Sequence, residues 1–130
     1  MERVLIFDDD VDILELCSII LTRKGFEVLM ATTCENIVDK VVQVKPDVIL
    51  MDNWLPDIGG VRATQLLKKN ALTRAIPVIF FSANNQTENF SHEAGAEYFI
   101  QKPFDIAELE MVVRKALTEK AHDLSPNYSD

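Results

Sequence analysis

Val48-Ile49-Leu50-Met51-Asp52 is the stretch on which the fold turns: four consecutive apolar residues stopped by an acid. A run of that length without alternation reads as a strand buried on both faces, as in a parallel sheet covered by helices. Its acid then stands at the C-terminal tip, towards solvent. Upstream, Val4-Leu5-Ile6-Phe7 is stopped in the same way by Asp8, Asp9 and Asp10, and Asp57 follows just beyond Asp52. Downstream, Val78-Ile79-Phe80-Phe81 runs into Ser82, and Tyr98–Gln101 runs into Lys102. A lone Asp after a strand most simply caps a helix. Two acid clusters are harder to explain as caps, because carboxylates brought together from neighbouring tips repel unless a cation sits among them.

A further strand is predicted at Glu27–Met30, and helical patterns fill the intervals. From Asp12 to Lys24 the residues Ile13, Leu16, Cys17, Ile20 and Leu21 keep helical spacing, and Gly25 supplies the stop. Thr32-Thr33-Cys34-Glu35 has the spacing of a capping box, opening a helix with the stripe Ile37, Val38, Val41 and Val42. Gly60 to Asn70 carries Val61, Leu66 and Leu67; Gln86 to Ala94 is short, polar and weakly patterned. Asp105 and Glu108 open a last helix with Ile106, Leu109, Val112, Val113, Ala116 and Leu117. Strict β-α alternation, five times over, predicts an α/β fold: an open, doubly wound parallel sheet with right-handed crossovers and five flanking helices. Its length suits the flavodoxin-like strand order 2-1-3-4-5, which binds ligands where the order reverses, between the first and third strands. Those are the strands ending at Asp8-Asp9 and at Asp52.

At 130 residues the chain fits one domain, read as residues 1–120, with 121–130 as a short C-terminal tail or the start of a linker. Hydrophobic residues at 48% against 26% charged are globular proportions. A net charge of −8 argues against direct nucleic-acid binding, which needs a basic stripe. No apolar run is long enough to span a bilayer and no signal-peptide pattern follows Met1, so a cytoplasmic protein without membrane insertion is expected. Cys17 and Cys34 lack metal-ligand spacing, and Cys17 reads as a small core hydrophobe in a reducing compartment.

A hard cation with oxygen ligands would relieve the repulsion among Asp8, Asp9 and Asp52. Mg2+ suits few carboxylates and retained waters, whereas the clustered ligands of a calcium loop are missing. Lys102 can place a fixed positive charge on the far side of a phosphoryl group, and Ser82 can donate a hydroxyl to a phosphate oxygen. Taken singly, Ser82 reads as a loop cap and Lys102 as a solvated terminal lysine. Four tips carrying D-D, D, S and K together point to a metal-and-phosphate site. There is no P-loop, Gly-rich dinucleotide turn, Ser-His-Asp or H-E-x-x-H spacing, and His92 and His122 read as surface residues.

Those motifs, with Pro46-Asp47, Leu55-Pro56-Asp57, Gly60, Pro77, Ala83, Ala94-Gly95-Ala96 and Lys102-Pro103-Phe104, make the chain resemble a response-regulator receiver domain from Val4 to about Leu117. This is the phosphoacceptor module of two-component signalling, here similar to the stand-alone chemotaxis regulators. The resemblance implies that Asp52 accepts the phosphoryl group. It implies that Asp8 and Asp9, with the backbone carbonyl of Trp54, complete the Mg2+ site. Ser82 and Lys102 would contact phosphoryl oxygens, Phe99 would reorient on activation, and the peptide before Pro103 would be cis. Trp54 is bulky where relatives often carry a small or polar residue. Asn84, two residues after Ser82, sits where charge varies among relatives. Trp54 and Asn84 are therefore expected to tune the phosphoryl lifetime, and Phe99 lacks the hydroxyl of the commoner tyrosine.

The expected donor is a sensor histidine kinase or a histidine phosphotransfer protein. The expected output is a protein partner on the helix 4–strand 5–helix 5 face. The chain would be no enzyme beyond its own phosphorylation and dephosphorylation. A phosphatase or mutase using an aspartyl phosphate would carry Asp-x-Asp after its first strand, a spacing that Asp8-Asp9-Asp10 meets only by accident. A flavin module would need a hydroxyl-rich phosphate loop there. A pseudo-receiver scaffold would not fill all five chemical positions.

Overall fold

The computed structural model describes residues 1–83 and 86–123, with the side chains of Thr87 and residues 120–123 left out. Asn84, the His122 side chain and residues 124–130 of the expected tail therefore lie outside the described residues. The order is β1 (Arg3–Phe7), α1 (Val11–Arg23), β2 (Glu27–Ala31), α2 (Ile37–Val44), β3 (Val48–Asp52), α3 (Gly59–Lys69), β4 (Val78–Ser82), α4 (Thr87–Ala94), β5 (Tyr98–Gln101) and α5 (Ile106–Asp123). All strands pair in parallel, in the order β2-β1-β3-β4-β5. The flavodoxin-like topology read from the alternation is the one observed.

Alternation along the buried strands divides the core in two. Val4, Ile6, Val48, Leu50, Ile79 and Phe81 pack beneath α1 and α5. Leu5, Phe7, Ile49, Met51, Val78 and Phe80 pack beneath α2, α3 and α4. All five residues of β3 and of β4 are buried, which is why their sequence shows no alternation. β1 and β3 are neighbours, with Phe7 opposite Met51, so the acids that follow them meet at one end of the sheet.

Several helix details differ from expectation. Leu14 of α1 is buried while Leu16 is exposed, because Leu14 shares one face with Cys17 and Leu21 at i+3 and i+7 and Leu16 falls off it. The predicted capping box does not open α2. Thr33 Oγ1 accepts a weak hydrogen bond from the Glu35 amide, and the helix begins only after Asn36, whose φ of 52° gives the turn without a side-chain cap. Val42 consequently faces solvent. In α3 the buried face is Gly60, Ala63, Thr64 and Leu67, with Val61 and Leu66 only partly covered. Ile106 is exposed, and α5 continues to Asp123, into the stretch read as tail.

Candidate functional site

The β1 and β3 tips set Asp8, Asp9 and Asp52 together. Each offers a carboxylate oxygen, and these oxygens lie within 4.8 Å of one another. Asp8 and Asp52 are almost fully buried, at 1% and 2% exposure, whereas Asp9 faces solvent. Asp10 takes the capping role that sequence alone allowed for any of these acids. Its carboxylate accepts the amides of Asp12 and Ile13 and opens α1. The Asp10 amide donates in turn to Asp8 Oδ1 at 2.9 Å, so the helix start orients the neighbouring acid. Asp57 is not part of the carboxylate group; it adopts a φ of 73° and lines a surface hollow with Cys34 and Ile58.

Lys102, at the β5 tip, bridges the buried acids. Its Nζ lies 2.6 Å from Asp8 Oδ2 and 3.2 Å from Asp52 Oδ1, and 4.5 Å from the centre of the Phe81 ring. Burial pushes the Asp52 carboxyl above its ordinary range; Lys102 opposes this and Asp8 reinforces it. Burial alone would lower the Lys102 pKa, but the hydrogen bond to Asp8 and the attraction of both carboxylates outweigh it and raise it. The second Asp52 oxygen accepts the Trp54 amide at 3.0 Å. Ser82 is fully buried at the β4 tip, on the strand paired with β3. The Lys102–Pro103 peptide is cis, as the resemblance implied. Phe99 is 42% exposed on β5.

Gly60 explains why α3 can begin beside the tip of β3. A Cβ there would run into the Asp52 carbonyl oxygen and lie 2.9 Å from its carbon, both backbone atoms that cannot swing away. The Gly60 amide donates to the Asn53 carbonyl at 3.0 Å. Two participants escaped the sequence reading. Phe81, read only as core, lies under Lys102, and Phe90 of α4 meets Trp54 edge-on with ring centres 6.5 Å apart. Phe81 lies within an apolar run and Phe90 is a single aromatic in a short polar helix, and no local signal marks either as touching a site.

The model of the response regulator receiver domain family matches residues 4–114. Among characterised relatives, the chain is similar to the phosphate regulon transcriptional regulatory protein PhoB of Klebsiella pneumoniae, at 35% identity over 109 residues, covering 82% of this chain and 48% of that protein. It is equally similar, at 35% identity over 119 residues, to the DNA-binding dual master transcriptional regulator RpaA of Synechocystis, covering 90% and 49%. The chain thus spans about half the length of these relatives. Among solved structures, the response regulator receiver domain protein (CheY-like) of Methanospirillum hungatei superimposes with a TM-score of 0.85 at 29% identity, covering 95% of this chain and 98% of that one. With the sheet order and the acid cluster at its switch point, these likenesses show that the chain belongs to the response regulator receiver domain family.

Proposed function

We propose that this receiver domain takes a phosphoryl group from a phosphohistidine donor onto Asp52, in a Mg2+-dependent reaction, and passes the signal on through altered protein contacts. The observation that carries the reading is the Lys102 ammonium shared between two buried carboxylates, with a third acid exposed beside them. A buried pair of acids held together by one lysine is the charge balance a divalent cation would suit. Asp8, Asp9 and Asp52, with the Trp54 carbonyl, would hold Mg2+. When bound, Mg2+ would neutralise charge on the phosphoryl oxygens.

The chain's own residues then do the positioning. An Asp52 oxygen attacks phosphorus in line, the donor's P–N bond breaks, and its electron pair returns to the imidazole. Lys102 meets the phosphoryl oxygens with fixed charge, Ser82 donates its hydroxyl, and the Trp54 amide holds the acceptor loop. Hydrolysis reverses the modification when water reaches phosphorus opposite Asp52. Trp54 and Asn84 set how readily it does so. The domain catalyses only these two steps on itself.

Phosphorylation adds up to about two negative charges at this tip. Ser82 moves towards them, and Phe99, which is 42% exposed, rotates inward, burying the rest of its ring for about 1 kcal/mol. That contributes about a fivefold bias to a two-state population. Partners read the face of α4, β5 and α5, and the donor is a sensor histidine kinase or a histidine phosphotransfer protein. Residues 1–120 form the receiver unit, with 121–130 as a short C-terminal tail or the start of a linker, into whose first residues α5 runs. Two buried free thiols fit a reducing, cytoplasmic setting.

Incubation with acetyl phosphate and Mg2+ tests the reading. The wild-type chain is expected to gain one hydroxylamine-labile phosphoryl group, and Asp52→Asn none. Asp9→Asn should weaken Mg2+ binding. An unlabelled wild type, or persistent label on Asp52→Asn, would overturn the assignment.

A further inference from the structure

Trp54 touches two elements at once. Its amide donates to Asp52 Oδ2 at 3.0 Å, while its ring stands edge-on to Phe90, at 74° and 6.5 Å between centres. Edge-to-face pairs at about 4.5–7 Å attract through their quadrupoles, so this contact has a preferred geometry. The ring is otherwise 60% exposed, and Phe90 is the ring partner found for it among the described residues. Phe90 sits midway along α4, half-buried against the core beneath that helix.

The C-terminal end of α4 is fastened to α3. Gln65 Nε2 donates to the Glu93 carbonyl at 3.0 Å. Lys68 pairs with Glu97 at 2.7 Å and donates to the Ile76 carbonyl at 2.8 Å, and Glu97 accepts the Val78 amide. Tilting of α4 would therefore pivot about its fastened end and move Phe90 relative to Trp54.

We propose that Phe90 is a positioning residue for the acceptor loop: it fixes the Trp54 ring, and through it α4 controls how long the phosphoryl group survives on Asp52. The inference rests on the phosphoacceptor reading of Asp52 and goes beyond it. A partner that draws α4 away from Trp54 frees the ring, opens the acceptor to water and shortens its own signal. One that holds α4 in place prolongs it.

Trp54 is the single tryptophan of the chain, so its emission reports the contact directly. The test phosphorylates wild type, Phe90→Leu, Phe90→Met, Phe90→Tyr, Trp54→Asn and the Trp54→Asn/Phe90→Leu double variant with acetyl phosphate and Mg2+. It follows decay after donor removal, with circular dichroism confirming the fold. Phe90→Leu and Phe90→Met are expected to decay at least about threefold faster than wild type, comparable to losing a weak edge-on ring pair. Their Trp54 emission should shift to the red and become easier to quench with acrylamide. Phe90→Tyr, which keeps a ring, should restore both readouts, and the double variant should decay no faster than Trp54→Asn alone. Unchanged or slower decay in the Leu and Met variants, or additive acceleration in the double variant, overturns the inference. A wild type that takes no phosphoryl group fails the acceptor reading instead, while the emission shifts still report whether Phe90 fixes the ring.

Discussion

Replacing Lys102 with methionine keeps the length and most of the apolar stem of the side chain and removes one charge. That charge lies 2.6 Å from Asp8 Oδ2 and 3.2 Å from Asp52 Oδ1, and those two carboxylates are 1% and 3% exposed. With an effective dielectric of about 20, the two attractions together amount to about 12 kcal/mol gross. Most of this is offset by desolvation of all three groups. Removing one partner, however, leaves two buried like charges face to face, for which a loss of about 3–5 kcal/mol is the usual size. Partial protonation of Asp52 in the variant limits the loss, since burial and Asp8 already push its carboxyl upward. For a domain of this size such a loss lowers Tm by about 10–20 °C. The assay is thermal unfolding of wild type and Lys102→Met, each with and without Mg2+. The variant should be much less stable without the metal and should recover more than wild type when it is added. A variant as stable as wild type without Mg2+ would refute the electrostatic account of the site.

Gly60→Ala should destabilise by about 1–3 kcal/mol, the cost of overpacking, although alanine normally stabilises a helix; its phosphorylation should also slow, because the new Cβ displaces the Asp52 backbone. Urea unfolding settles the sign. Thr64 is fully buried on α3, and its Oγ1 has no hydrogen-bond partner among the described residues, so Thr64→Val should stabilise by about 1 kcal/mol in the same assay. Burial pushes the Cys17 and Cys34 thiols from 9.0 up to about 11. The unfolded chain therefore loses these protons first, and the stability the thiols contribute is intact below about pH 9 and disappears as pH rises through about 11. The effect is on the order of 2 kcal/mol per thiol, and the Cys17→Ala/Cys34→Ala variant should show a flatter alkaline decline in urea midpoint than wild type.

The strands were legible because β3 and β4 are buried on both faces and carry unbroken apolar runs, which few other structures explain. That Asp8, Asp52 and Lys102 come together was legible for the same reason, since each lies at or just past a strand tip. Helix faces were less legible. Leu14 and Leu16 are equally apolar, and the phase shared with Cys17 and Leu21 decides which of them the sheet receives. At α2 the capping-box spacing gave a false start, because Asn36 in a left-handed turn performs the reversal with backbone geometry that spacing does not reveal. Gly60 stood out only as part of a resemblance; its reason, backbone against backbone at Asp52, is tertiary. The Trp54–Phe90 contact joins the loop after β3 to α4, and nothing local in either segment announces it.

Borohydride trapping tests the central claim most directly, because it converts a phosphorylated aspartate to homoserine and fixes its position in the chain. After treatment with acetyl phosphate and Mg2+, peptide mapping by mass spectrometry should find homoserine at position 52, and none when Mg2+ is withheld. Homoserine at position 8, 9 or 57 in place of 52, or no conversion at any aspartate, would contradict the account.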